Sequence, residues 1–183
     1  TAQGLGIYYN KANLEKAGVS TSEIPSDWDS FLAACEKLKN AGIPPIVSGN
    51  GGQPYGIDFM HRVILANFYG KGLSGFSDGT ANFSDAEFVE ASSMIKTLFS
   101  EGYVNVENAT IPYFMDAIEM FKAGEGGFFV GLTSDIAHWK DFGDAFGYDN
   151  LGYMPSINSS KAKYSDRQSN QGAGLALAVI KDS

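Results

Sequence analysis

Only one residue of the 183 is cysteine, Cys35, so no internal disulfide can form. Cys35 stands among apolar neighbours at helical spacing and reads as a core residue rather than a nucleophile. Histidine is almost as scarce. His61 and His138 lie far apart, and neither has a partner at metal-ligand spacing. No stretch approaches the roughly 18 apolar residues of a membrane span, and no charged-then-apolar signal segment opens the chain. Runs of one charge are missing too. Thirteen Lys and Arg are spread among twenty-one Asp and Glu, and the net charge of −8 repels phosphate backbones and anionic lipid, which argues against nucleic acid as a partner.

Signatures of bond chemistry are equally sparse. Gly49-Asn50-Gly51-Gly52 lacks the lysine and hydroxyl residue of a phosphate-cradling loop, and no Gly-x-Ser-x-Gly elbow is present. No cofactor is implied. Asp58, Asp116 and Asp135 stand near loop-to-helix junctions, which leaves paired-carboxylate glycoside chemistry open beside the plainer reading of helix capping or solvated surface. Asn108-Ala109-Thr110 matches a glycosylation acceptor, a triplet common by chance.

What is present is a chain with 44% hydrophobic residues, long enough to bury about 70% of its unfolded surface in one core. A single domain over residues 1–183 is expected. Thr1 in place of a methionine, and an end at Lys181-Asp182-Ser183 just past an apolar run, predict a piece of something larger.

Leu5 to Tyr9 reads as a strand feeding a short helix that ends near Gly18. Ser26, with Asp29 three residues on, predicts the start of a helix carrying Trp28, Phe31, Leu32, Cys35 and Leu38 on one face and stopping at Gly42. Ile46 and Val47 resume an extended segment. Ile57, Met60, Ile64 and Phe68 mark the next helix, whereas residues 71–83 are too rich in Gly and Ser for regular structure. Ser84 with Glu87 forms a predicted capping box for a helix ending at Gly102, and another helix follows Pro112 as far as Gly124. Strands are predicted at Gly127 to Val130, Leu151 to Met154 and Gly174 to Ile180. A helix capped by Ser134 lies between the first two, and a polar loop at 158–171 precedes the third. Short strands alternating with longer helices give a mixed α/β fold, a small sheet covered by many helices.

Several segments carry a resemblance. Residues 6–18 (GIYYNKANLEKAG) are similar to the stretch by which family 1 extracytoplasmic solute-binding proteins cross from their first lobe into their second. Residues 25–31 (PSDWDSF), 38–46 (LKNAGIPPI), 83–85 (FSD), Asp116-Ala117, 121–127 (FKAGEGG), 152–155 (GYMP) and 171–177 (QGAGLAL) follow in the family's order and spacing. The resemblance implies a periplasmic-binding-protein type II-like lobe, the helix-rich second of two, with the first lobe and the C-terminal helices absent. It implies a non-catalytic carbohydrate-binding role in the receptor of a bacterial ABC sugar importer. Its partners would be a mono- or oligosaccharide, the missing lobe and the membrane permease subunits. Its place would be extracytoplasmic, with a lipid anchor in the full-length protein.

The resemblance also suggests site residues. Gln53-Pro54-Tyr55 is similar to a Glu-Pro-Tyr segment that contacts sugar in maltose-binding proteins, so Tyr55 would stack on the sugar and Gln53 would meet its hydroxyls, with Gln for Glu removing a charge. The competing reading makes Tyr55 an ordinary, partly buried tyrosine. Where the family often has tryptophan this chain has Thr133 and Ser134, able to offer hydroxyls or helix N-terminal amides. Asn170 and Gln171 precede the return crossing. Tyr113, Phe114 and Asp116 open another helix, with Phe114 fitting its buried face. Two further readings from other classes are a carbohydrate-active enzyme domain using cleft carboxylates and a protein-interaction module.

Overall fold

The computed structural model describes residues 4–22, 24–52, 55–71, 74–104, 114–154, 157 and 159–164. Strand β1 (Leu5–Asn10) is buried at every position, so it needs cover on both faces. At its end the Asn10 side chain accepts from the Asn13 amide and starts helix α1 (Lys11–Lys16); Gly18, at φ +73°, turns the chain away. Helix α2 (Trp28–Asn40) begins one residue later than the Ser26 cap predicts. The Asp27 carboxylate accepts from the Ser30 amide at 2.8 Å while the Ser30 hydroxyl accepts from the Asp27 amide at 3.3 Å. An anionic acceptor suits a helix N-terminus better than a hydroxyl, and this start turns Trp28, Phe31, Ala34, Cys35 and Leu38 inward.

Among the described residues the remaining α-helices and strands are strand β2 (Ile46–Val47), helices α3 (Gly56–Phe68), α4 (Ser74–Asp78), α5 (Ala86–Ser100) and α6 (Phe114–Lys122), strand β3 (Phe128–Leu132), helix α7 (Trp139–Phe146) and strand β4 (Leu151–Met154). A 3-10 turn over Thr133–His138 leads from β3 into α7, where the sequence predicts one helix capped by Ser134. The described strands form one sheet in the order β2-β3-β1-β4, with β2 parallel to β3 and β1 antiparallel to both β3 and β4. Successive residues of a strand face opposite sides, and β3 uses this with two phenylalanines. Phe128 meets Phe31 of α2 at 4.9 Å between centroids, while Phe129 stacks on Phe121 of α6 at 5.5 Å and lies 5.9 Å from Phe142 of α7. The mixed α/β class, a small sheet under many helices, is therefore as the sequence implies.

Two local expectations fail here. Residues 71–83 contain α4, and the Ser84–Glu87 box does not form. Phe76 of α4 stacks on Phe83 at 4.4 Å and sets its edge to Phe88 of α5, so packing of rings overrides the Gly and Ser content. At the start of α5, Asp85 caps nothing with its side chain. Its carboxylate accepts from the Tyr69 hydroxyl at 2.5 Å, the Lys71 ammonium at 2.9 Å and the Asn82 amide at 3.1 Å. The Ser84 hydroxyl turns instead to Asn82 Oδ1. Cys35 has the predicted core position at 0% exposure, and burial pushes its thiol up, away from reactivity. The strand expected at 174–180, and all of the loop at 158–171 except 159–164, lie outside the described residues.

The Tyr69 hydroxyl foremost, with Lys71 and the Asn82 amide, holds the Asp85 carboxyl down to about 2. A carboxylate depressed below its unfolded value of about 3.9 contributes its full stability above that pH and loses it as pH falls through the folded value. Asp85→Asn should therefore lower the melting temperature at pH 7. In circular-dichroism melts the gap to the wild type should close between about pH 4 and pH 2.

Candidate functional site

β2 and β3 run parallel, and the space beyond the carboxyl ends of parallel strands is where α/β proteins most often bind ligands. Three further segments come to that end of the sheet. Gly56, the first residue of α3, abuts β3 so closely that a Cβ there would overlap the Val130 carbonyl oxygen. Phe114, at the start of α6, lies under the Tyr55 ring at 5.2 Å and 26°. The segment entering β1 joins as Thr133 donates its amide to Gly4 O at 2.9 Å and the Gly4 amide donates to Thr133 Oγ1 at 3.1 Å.

At the centre stands a buried polar knot. Asp135 is only 5% exposed although Ser134 and Ile136 beside it are exposed. Its Oδ2 accepts from the Leu132 amide at 2.6 Å and from the Tyr55 hydroxyl. The carbonyl of Leu132 accepts from the Tyr8 hydroxyl at 3.0 Å, so both backbone polar groups of the last β3 residue are held by side chains. Gly131 makes the room, since a Cβ there would collide with Asp135 Oδ2 and the Phe129 ring. Desolvation pushes the Asp135 carboxyl up, opposed by the Tyr55 hydroxyl and the Leu132 amide. Burial, reinforced by the Asp135 charge, pushes Tyr55 far up, so its hydroxyl stays protonated and donates.

The structure thus puts Tyr55 beneath the surface, 3% exposed, with one face on Phe114. Phe114 is half-buried, matching its expected inward face only in part. Thr133 is half-buried with its hydroxyl engaged by Gly4, and Ser134 is exposed beside it. Gln53, Tyr113, Asn170 and Gln171 lie outside the described residues. The three candidate carboxylates differ in setting: Asp58 pairs with Arg62 at 2.7 Å, Asp116 is exposed on the first turn of α6, and Asp135 is enclosed as above. His61 meets the Ser92 hydroxyl at 3.1 Å and His138 meets Asp141 at 3.1 Å. Among the described residues no cluster of three or more His, Cys, Asp or Glu is arranged for a metal ion, and no helix is long and apolar enough to cross a membrane. Sequence reasoning missed the Asp135–Tyr55–Tyr8 connection. The glycine at 131 followed four residues later by a carboxylate was its only trace.

The sequence profile described as bacterial extracellular solute-binding protein matches residues 1–183. No curated protein sequence matches the chain. Among solved structures, a chitin oligosaccharide binding protein is similar with a TM-score of 0.79 at 24% identity, over 92% of this chain and 41% of its own. A probable secreted solute-binding lipoprotein from Streptomyces coelicolor gives 0.69 at 21% identity, over 88% and 39%. A sugar transporter from Arthrobacter chlorophenolicus A6, solved with bound laminaribiose, gives 0.65 at 20% identity, over 92% and 39%. The chain shares their fold and spans 39–41% of their length.

Gly131→Ala forces a methyl group between two enclosed neighbours that have nowhere to go. It should lower the urea midpoint by the equivalent of about 1–3 kcal/mol, read from urea unfolding followed by tryptophan fluorescence.

Proposed function

Because the chain belongs to the bacterial extracellular solute-binding proteins, we propose that it is the carbohydrate-binding second lobe of the extracytoplasmic receptor of an ABC sugar importer. The intact receptor adds a first lobe, and a mono- or oligosaccharide is held between the two without bond chemistry. Closure of the lobes then presents the receptor to the membrane permease subunits. The intact protein works outside the cytoplasm and is held at the membrane by a lipid anchor.

One observation supports this reading above the others. The starts of α3 and α6, the end of β3 and the strand through which the chain enters all meet at one end of the sheet, where the first lobe, joined at Gly4, would face them. A sugar needs apolar surface for its CH faces and fixed polar groups for its hydroxyls. Half-buried Phe114, backed by the enclosed Tyr55 ring, supplies the first from the floor, and Thr133 and Ser134 stand at the rim for the second. Gln53, Tyr113, Asn170 and Gln171 complete the polar set in this proposal. The similarity to structures named for chitin oligosaccharides and laminaribiose favours a sugar over other solutes.

A thermal-shift screen of the intact receptor against mono- and oligosaccharides, with chito-oligosaccharides and laminaribiose in the panel, tests the proposal. At least one sugar should raise the melting temperature in proportion to the logarithm of its concentration and be recovered uncleaved. A flat response across the panel, or cleavage products, would overturn it. The 183-residue chain alone, lacking half of the contacts and all of the closure, should bind the same sugar far more weakly. Micromolar or tighter binding by calorimetry would contradict the division into two lobes.

A further inference from the structure

We propose that Asp135 is a positioning residue of the sugar site, holding the end of β3 directly, and Phe114 by way of the enclosed Tyr55, in the arrangement the ligand meets; this inference rests on the functional reading above. A carboxylate on a surface turn would ordinarily point to water, where its charge is solvated. Asp135 instead folds inward between two exposed neighbours to 5% exposure, and the chain gives up a side chain at Gly131 to admit it.

What the carboxylate does there is join segments. A single oxygen, Oδ2, accepts from the amide of Leu132, three residues before it, and from the hydroxyl of Tyr55, 80 residues before it. Tyr55 precedes the first residue of α3, and its ring rests on Phe114 at the start of α6. Leu132 is followed by Thr133, which is bonded twice to Gly4. Asp135 thus ties two helix starts to the turn that carries Thr133 and Ser134, and through Thr133 to the segment entering β1. As a device for stability alone a buried carboxylate is poor, since apolar replacements of buried charged groups are often neutral or stabilising. As a device for direction it is good, because a satisfied charged acceptor permits one arrangement of its donors.

The groups facing Asp135 are Tyr55, Tyr8 and His138, and only the Tyr55 hydroxyl is both in hydrogen-bond contact and part of the candidate site. That makes the pair separable by a double-mutant cycle. In the intact receptor, the panel sugar giving the largest wild-type thermal shift is titrated calorimetrically into Asp135→Ala, Asp135→Asn, Tyr55→Phe and the double variant Asp135→Ala/Tyr55→Phe. Asp135→Ala and Tyr55→Phe should each weaken binding about tenfold or more, and the double variant should be no weaker than the weaker single one. Asp135→Asn keeps an oxygen that accepts from both donors and should stay within about threefold of the wild type. Should Asp135→Ala fail to fold at the assay temperature, Tyr55→Phe against Asp135→Asn carries the same comparison.

Variants that melt at lower temperature yet bind within twofold of the wild type would overturn the positioning role, as would losses that multiply in the double variant. A wild-type receptor that binds no panel sugar would instead remove the functional reading and the inference together.

Discussion

The antiparallel pairing of β1 with β3, running from Leu5 opposite Leu132 to Tyr9 opposite Phe128, is the contact on which the rest of the molecule is hung. It closes a loop of more than a hundred residues, so it forms only if the intervening helices bury enough surface to offset the ordering of that loop. They do so by covering both faces of two apolar strands. Phe31, Leu38 and Phe128 share one cluster with Phe121, Phe129 and Phe142, each at 0% exposure. The pairing also sets the register at the sheet end. With Leu5 opposite Leu132, Gly4 falls against Thr133, and the entering segment and the outgoing turn are held at one place.

That end of the sheet is built differently from the interior. Inside, the contacts are ring on ring and depend on shape. At the end they become directional: a carboxylate, two tyrosine hydroxyls and two backbone groups of Leu132 satisfy one another within a volume from which water is largely excluded. Glycines at 56 and 131 allow it, because backbone and carboxylate approach there to distances that any side chain would forbid. For the proposed sugar receptor such construction is useful, since donors and acceptors held in direction beforehand need less ordering when a solute arrives.

Much of this was legible in the sequence and some was not, and the division follows range. β4 at Leu151–Met154, the inward face of α2 and the glycine stops after α1, α2 and α6 are local patterns, and the sequence displays them directly. The apolar spacing marks α3 as a helix but does not disclose its near-complete enclosure. Phe59, Val63, Leu65 and Asn67 are buried beside the expected Ile57, Met60, Ile64 and Phe68, because α3 is clasped between the sheet and α5. α4 exists because Phe76 finds Phe83 and Phe88, which no window over 71–83 contains in full. The candidate site shows the same limit. The Gln53-Pro54-Tyr55 resemblance points to Tyr55, yet the bond of Tyr55 to Asp135 spans 80 residues and leaves no periodic trace.

The one sulfhydryl of the chain sits at the inward face of α2 with no exposed surface. An alkylating reagent in the surrounding buffer therefore cannot touch it while the core is closed. Each labelled molecule records one opening event, so the rate of maleimide uptake, watched by mass spectrometry, is a built-in clock for how often this core breathes.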